Sequence, residues 1–262
     1  MSSGSSNVDA ELTIFRLYVH SQTELSFDTK FKQIDIILDF AIEHPVGSGK
    51  FKSTWNIDVE WLQMMKKKYP QLRVVISLGG VGSEYPFNPV DPLRWIINAV
   101  SSIKHIISLY GQKLIDGIDI HYDVIESTEE DFSFCIGDVI KQLRNDKHLS
   151  IKVVSIAPTK LVESYYLKLY SDNKDIIDLV DYQFYNENFS SKNEFVKLYE
   201  KLVVDYSPAK VLPGISIFAN RISKEAIADL IDKKLIPGYF VWNPNDHSPV
   251  GTNPFSLENM LE

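Results

Sequence analysis

Apolar positions along the chain fall into two alternating patterns. Short β-branched runs cover Thr13 to Val19, Ile34 to Ile42, Arg73 to Gly79, Ile115 to Tyr122, Ile151 to Ala157, Leu179 to Phe184, Lys210 to Ile217 and Gly238 to Trp242. These read as strands buried on both faces. Between them the spacing changes to i, i+3 or i+4, and i+7, most clearly in WNIDVEWLQMMKKKYP, PLRWIINAVSSIKHIISLYG and EEDFSFCIGDVIKQLRND. That spacing predicts amphipathic helices. Eight strands separated by helical stretches, with no linker between them, predict an α/β fold: a single-domain (β/α)8 TIM barrel. An open doubly wound sheet is the alternative, but the Gly79 to Glu84 turn lacks the third glycine of a dinucleotide fingerprint and no P-loop pattern occurs. The barrel is expected over residues 12–262, after a flexible N-terminal segment at 1–11.

A chain of 262 residues with 44% hydrophobic content holds enough apolar surface for one large core. Its formal net charge of -8 makes nucleic acid and anionic membranes poor partners. No apolar run has membrane-spanning length, and the opening MSSGSSNVDAELTIF lacks the basic and apolar regions of a signal peptide. A cytoplasmic location and a monomeric chain are therefore expected. Cys135 is the single cysteine, so no intrachain disulfide forms; in the apolar face of SFCIGDVI it reads as a small core residue. The Asn188-Phe189-Ser190 sequon is expected to stay unmodified in that compartment.

The stretch DGIDIHYDVIE, Asp116 to Glu126, breaks the apolar pattern. Asp119, His121 and Asp123 alternate with Ile118, Ile120 and Tyr122, so the polar set shares one face of a strand. An unpaired buried carboxylate costs several kcal/mol, so these groups need partners or a purpose. Pointing into the barrel, they would converge on a wet cavity at its mouth, where strand ends carry function. The plain structural reading is a self-satisfied polar network in which Asp119 or Asp123 pairs a charged imidazole. One histidine and two aspartates fall short of usual zinc patterns, even with His20, His44 and His247 at other strand ends. No metal or cofactor is expected. Lys66, Lys67 and Lys68 read as a solvated helix end favoured by the helix dipole.

Asp116-Gly117-Ile118-Asp119-Ile120-His121-Tyr122-Asp123 resembles the DxxDxDxE signature of glycoside hydrolase family 18, the chitinase-type barrels. Ser77-Leu78-Gly79-Gly80 is similar to that family's SxGG motif, and Gln183-Phe184-Tyr185-Asn186 to the QFYN of plant class III chitinases. The phrases RVVISLGG, PFNP, LIDGIDIHY, VVSIAP, VDYQF and KVLPG resemble the narbonin-like legume seed proteins within it. The resemblance implies catalytic positions at Asp123, His121, Asp119 and Tyr185. It implies ligand-binding positions at Trp242, Gln183, Tyr185 and Asn186, with a chitin-type oligosaccharide as partner. In the active pattern the last acid is glutamate, which protonates the glycosidic oxygen, and the residue two before it is an aspartate assisting the substrate's N-acetyl group. Here these are Asp123 and His121. Losing one methylene withdraws the carboxyl by about 1.5 Å, and a misplacement of about 1 Å costs on the order of 100-fold. An imidazolium would also repel the positive charge that develops on the substrate. Glu126, three residues on, is out of phase with the site. The expectation is a catalytically silent or very weak barrel with a storage or binding role. The alternatives are a lectin-like protein binding N-acetylglucosamine oligomers and a slow or recruited enzyme using Asp123.

Overall fold

In the computed structural model, the described residues are 14–217 and 219–243. The expected flexible segment at 1–11 lies outside them, as does His247. The strands are β1 (Ile14–Val19), β2 (Gln33–Glu43), β3 (Phe51–Ser53), β4 (Leu72–Gly80), β5 (Gly117–Tyr122), β6 (Val153–Ile156), β7 (Leu179–Tyr182), β8 (Val211–Ser216) and β9 (Gly238–Trp242). The helices are α1 (Val59–Lys68), α2 (Pro92–Tyr110), α3 (Glu129–Asn145), α4 (Glu163–Asn173), α5 (Lys192–Asp205) and α6 (Arg221–Asp232).

All strands but β3 run parallel, and β1 pairs with both β2 and β9, which closes the sheet. A closed parallel barrel replaces the open sheet held as the alternative. Two features depart from the regular alternation. β3 is a short antiparallel strand folded back on the end of β2. The link from β1 to β2 contains no helix; Leu25, Phe27 and Phe31 bury its apolar side instead. Helix starts follow side-chain chemistry: Asp58, Asp91, Thr128, Ser191 and Asn220 each accept a backbone N–H from the first turn.

The alternation of side chains produces two cores. Outward-facing strand residues pack against the buried faces of the helices, where Cys135 of α3 lies; burial pushes its thiol up to about 12. Inward-facing Tyr18, Ile37, Val75, Val153, Leu179, Leu212 and Phe240 fill the lumen. Gly214 makes room for that filling, since a Cβ there would lie 2.0 Å from Cζ of Phe240. A charged layer shares the lumen. Arg16 of β1 pairs with Asp35 of β2 at 2.9 Å and with Asp181 of β7, all three side chains fully buried, and Arg73 forks onto Asp35. At the N-terminal end of β5, Asp116 accepts from Lys66, Lys152 and the Val74 N–H. Lys66 is therefore a partner of a buried carboxylate rather than one of three solvated lysines.

Candidate active site

The register of the barrel builds the site from three strands. Ser77 of β4 and Ser155 of β6 both lie level with Asp119 of β5. Their hydroxyls donate to Asp119 at 2.7 and 2.6 Å, and the Tyr18 hydroxyl adds a third bond at 2.9 Å. The carboxylate is completely buried, and these bonds replace its water. Two residues further on, His121 lies level with Gly79. Gly79 has φ +114, and a Cβ there would be 2.2 Å from the His121 carbonyl oxygen, so the approach of β4 to β5 requires glycine.

His121 is also completely buried. Its ring stands edge-on to Tyr18 and Phe40, with centroids 5.6 and 5.0 Å away. Its Nε2 lies 3.5 Å from Oδ1 of Asp123, while Nδ1 has no hydrogen-bond partner among the described residues. Asp123 follows the last residue of β5 and is partly exposed. Oδ2 accepts the Gly82 N–H at 3.1 Å, and Oδ1 accepts from Gln183 Nε2 at 3.2 Å. Burial would depress the imidazole, but the hydrogen bond and charge of Asp123, helped by Asp119 and Asp39, outweigh it and raise the His121 pKa. Burial likewise pushes Asp123 up, yet the bond to His121, its charge, Gly82 and Gln183 hold the carboxyl below its ordinary value. Each group thus favours the charged form of the other.

Gln183 ties this pair to the neighbouring strand end. It is 2% exposed, so it is a buried hub rather than the ligand-facing residue the sequence predicts. Nε2 donates to the Ala157 carbonyl at 2.9 Å and to Asp123. Nε2 of Gln183 also lies 3.4 Å from Nε2 of His121, where donor and acceptor depend on the ring tautomer. Oε1 of Gln183 accepts from the Tyr185 hydroxyl at 2.9 Å and from Asn186 Nδ2 at 3.0 Å. Tyr185 also stacks on Trp242, centroids 5.0 Å apart at 26°.

The predicted set is brought to one end of the barrel, but not into one wet cavity. Asp119 and His121 lie beneath the surface. Asp123 and Asn186 alone among the predicted residues line a cleft of about 720 Å³, together with Gly82, Val124, Thr159, Lys160, Leu161, Glu187 and Asn188. Sequence reasoning missed Thr159, which is 5% exposed and whose hydroxyl has no hydrogen-bond partner among the described residues. Its signal was a polar residue directly after the apolar run VVSIAP, at a strand's C-terminal end. Glu126 is exposed and accepts from Asn88 Nδ2 at 3.0 Å, away from the cleft. The Pro45 to Lys50 loop forms a separate surface cavity against α2.

The site thus places an acidic side chain at the C-terminal mouth of a closed parallel barrel. The sequence profile of glycosyl hydrolases family 18 matches residues 18–239, and the chain belongs to that family. It is 32% identical to Chitinase 1 of the tulip Tulipa saxatilis subsp. bakeri over 94% of this chain and 84% of that protein. It is 23% identical to the RuBisCO-associated protein of Glycine max, over 68% and 66% of the two chains. The catalytic domain of a family GH18 chitinase from the fern Peteris ryukyuensis superposes with a TM-score of 0.82 at 28% identity, covering 95% of this chain and 98% of that one.

Proposed function

We propose that this chitinase-like barrel is a binding protein that holds chitin-type oligosaccharides without hydrolysing them. The observation that carries the reading is the engagement of the Asp123 carboxylate within the protein. A general acid must arrive protonated and within about 2.6 to 3.2 Å of the oxygen it serves. Both oxygens of Asp123 are instead engaged within the protein, Oδ2 by the Gly82 N–H and Oδ1 by Gln183, and its carboxyl is held below its ordinary value. It is also one methylene shorter than glutamate. The hydroxyl of Tyr185 is likewise committed to Gln183.

An open cleft of about 720 Å³ beside this pair favours binding over a pure storage role, which has no use for a cavity. The oligosaccharide class comes from the tulip and fern chitinases that the chain resembles. Calorimetry with N-acetylglucosamine oligomers and their deacetylated forms tests the reading. Heat of binding with the oligomers recovered intact is the expected result. No heat from either series at millimolar ligand contradicts it.

A further inference from the structure

Helices α2 and α3 follow the neighbouring parallel strands β4 and β5 and run side by side in the same direction. At one end Sγ of Cys135 lies 3.8 Å from the Pro92 carbonyl oxygen, and at the other Lys104 pairs with Asp146 at 2.6 Å. Their inner faces are packed into the barrel. Their outer crests leave large apolar side chains in solvent: Val90 is 90% exposed, Leu93 65%, Ile97 67% and Phe134 51%. Val90, Leu93 and Ile97 recur at three and four residues and form one stripe. Phe134 is flanked on its own crest by Glu130 and Asp138, four residues to either side. A lone exposed apolar residue needs no explanation, but four gathered on one adjoining pair of helices mark an interaction surface.

Charges of both signs stand beside this apolar crest. Arg94 is exposed on α2, and Asp138 is half-buried on α3, where it accepts from Gln142 Nε2 at 2.8 Å. A partner must therefore bring apolar surface, a cation and a carboxylate, and a second copy of this chain brings all three. We propose that the outer α2–α3 face is a two-fold interface between two copies of this chain. A two-fold axis perpendicular to the face sets the helices of the two copies antiparallel. Phe134 of one copy then packs on Ile97 of the other. Asp138 lies one turn on from Phe134 and Arg94 one turn back from Ile97, so the antiparallel crossing brings these charges opposite each other. Glu130, one turn before Phe134, meets Ser101 rather than a carboxylate, and Asp91 faces Lys141. The symmetry makes each contact twice and closes the assembly at the dimer. The monomer expected from the sequence is then the dilute form of an equilibrium.

Sedimentation velocity of the full chain, from about 1 to 200 µM, tests this. The expected result is a monomer–dimer equilibrium in the micromolar range that saturates at twice 30.0 kDa with no larger species. Ile97→Glu, at an exposed helix position, is expected to leave the chain monomeric at every concentration. Arg94→Asp and Asp138→Arg are each expected to weaken the dimer about tenfold, and the two together to recover it, because the pair is then restored with its signs exchanged. The charge-exchange series keeps the test decisive if Ile97→Glu fails to fold. A chain that stays monomeric across the range, a dimer indifferent to these substitutions, or association that grows past the dimer overturns the inference.

Discussion

Nε2 of His121 and Oδ1 of Asp123 stand 3.5 Å apart, one side chain sealed in the barrel and the other opening on the cleft. Each shifts the other toward its charged form: the imidazole is raised and the carboxyl lowered. A raised histidine contributes stability that is fully present below its unfolded value of about 6.5 and is lost as pH rises through its folded value. A lowered aspartate contributes stability that is present above about 3.9 and is lost as pH falls through its folded value. Wild type should therefore exceed His121→Gln in stability by about 1.5–3 kcal/mol, the worth of a hydrogen bond between charged groups. The difference should be greatest between about pH 4 and pH 6.5 and shrink on either side. Urea unfolding across pH measures the gap. An NMR titration placing His121 at or below the ordinary histidine value contradicts the pairing.

Restoring the missing methylene alone should not restore chemistry. Asp123→Glu is expected to remain inert, because His121 still holds the longer carboxyl ionised. In the double variant His121→Asp with Asp123→Glu, a carboxylate replaces the imidazole and raises the glutamate pKa, favouring the protonated acid. Turnover of a fluorogenic chitotrioside about 100-fold above wild type is expected for the pair, at the low end of what general acid catalysis contributes. Activity from Asp123→Glu by itself would show that length was the whole defect.

Replacing Arg16 by methionine should destabilise the barrel by about 3–5 kcal/mol, because Asp35 and Asp181 lose their shared buried cation. Arg73 retains its fork on Asp35, so Asp181 bears most of the loss. The midpoint of urea unfolding reads this directly. A change below about 1 kcal/mol would show that the charged layer contributes little.

Gly214→Ala places a methyl 2.0 Å from the Phe240 ring inside the lumen. Overpacking of this kind costs about 1–3 kcal/mol. The expected signature is a lower unfolding midpoint with an unchanged denaturant slope. Phe240→Leu in the same chain should recover part of the loss by freeing that volume.

The barrel was legible because parallel strands covered on both faces read as continuous apolar runs, and eight of them recur with helical spacing between. β3 was not legible: three residues, Phe51 to Ser53, carry no periodicity of their own and are strand only through pairing with β2. The polar face of β5 was read in the correct phase, yet its depth was not. Strand alternation gives direction, whereas the sealing of Asp119 and His121 depends on Tyr18, Phe40, Ser77 and Ser155 from other strands. The Arg16 layer shows the same limit. Each charge interrupts an apolar run visibly, but Arg16 and Asp181 are 165 residues apart and meet only when the barrel closes. Gln183 was singled out as a residue that matters, and its role as an internal tether follows from its burial, which no local pattern encodes.

The most direct measurement of the central claim is product release from N-acetylglucosamine oligomers by wild type and by Asp123→Ala, with the fern chitinase domain assayed alongside at equal concentration. The account predicts that the fern enzyme cleaves and that both forms of this barrel leave the oligomers intact. Cleavage by wild type that disappears in Asp123→Ala would contradict it, showing that the carboxyl beside His121 does deliver a proton.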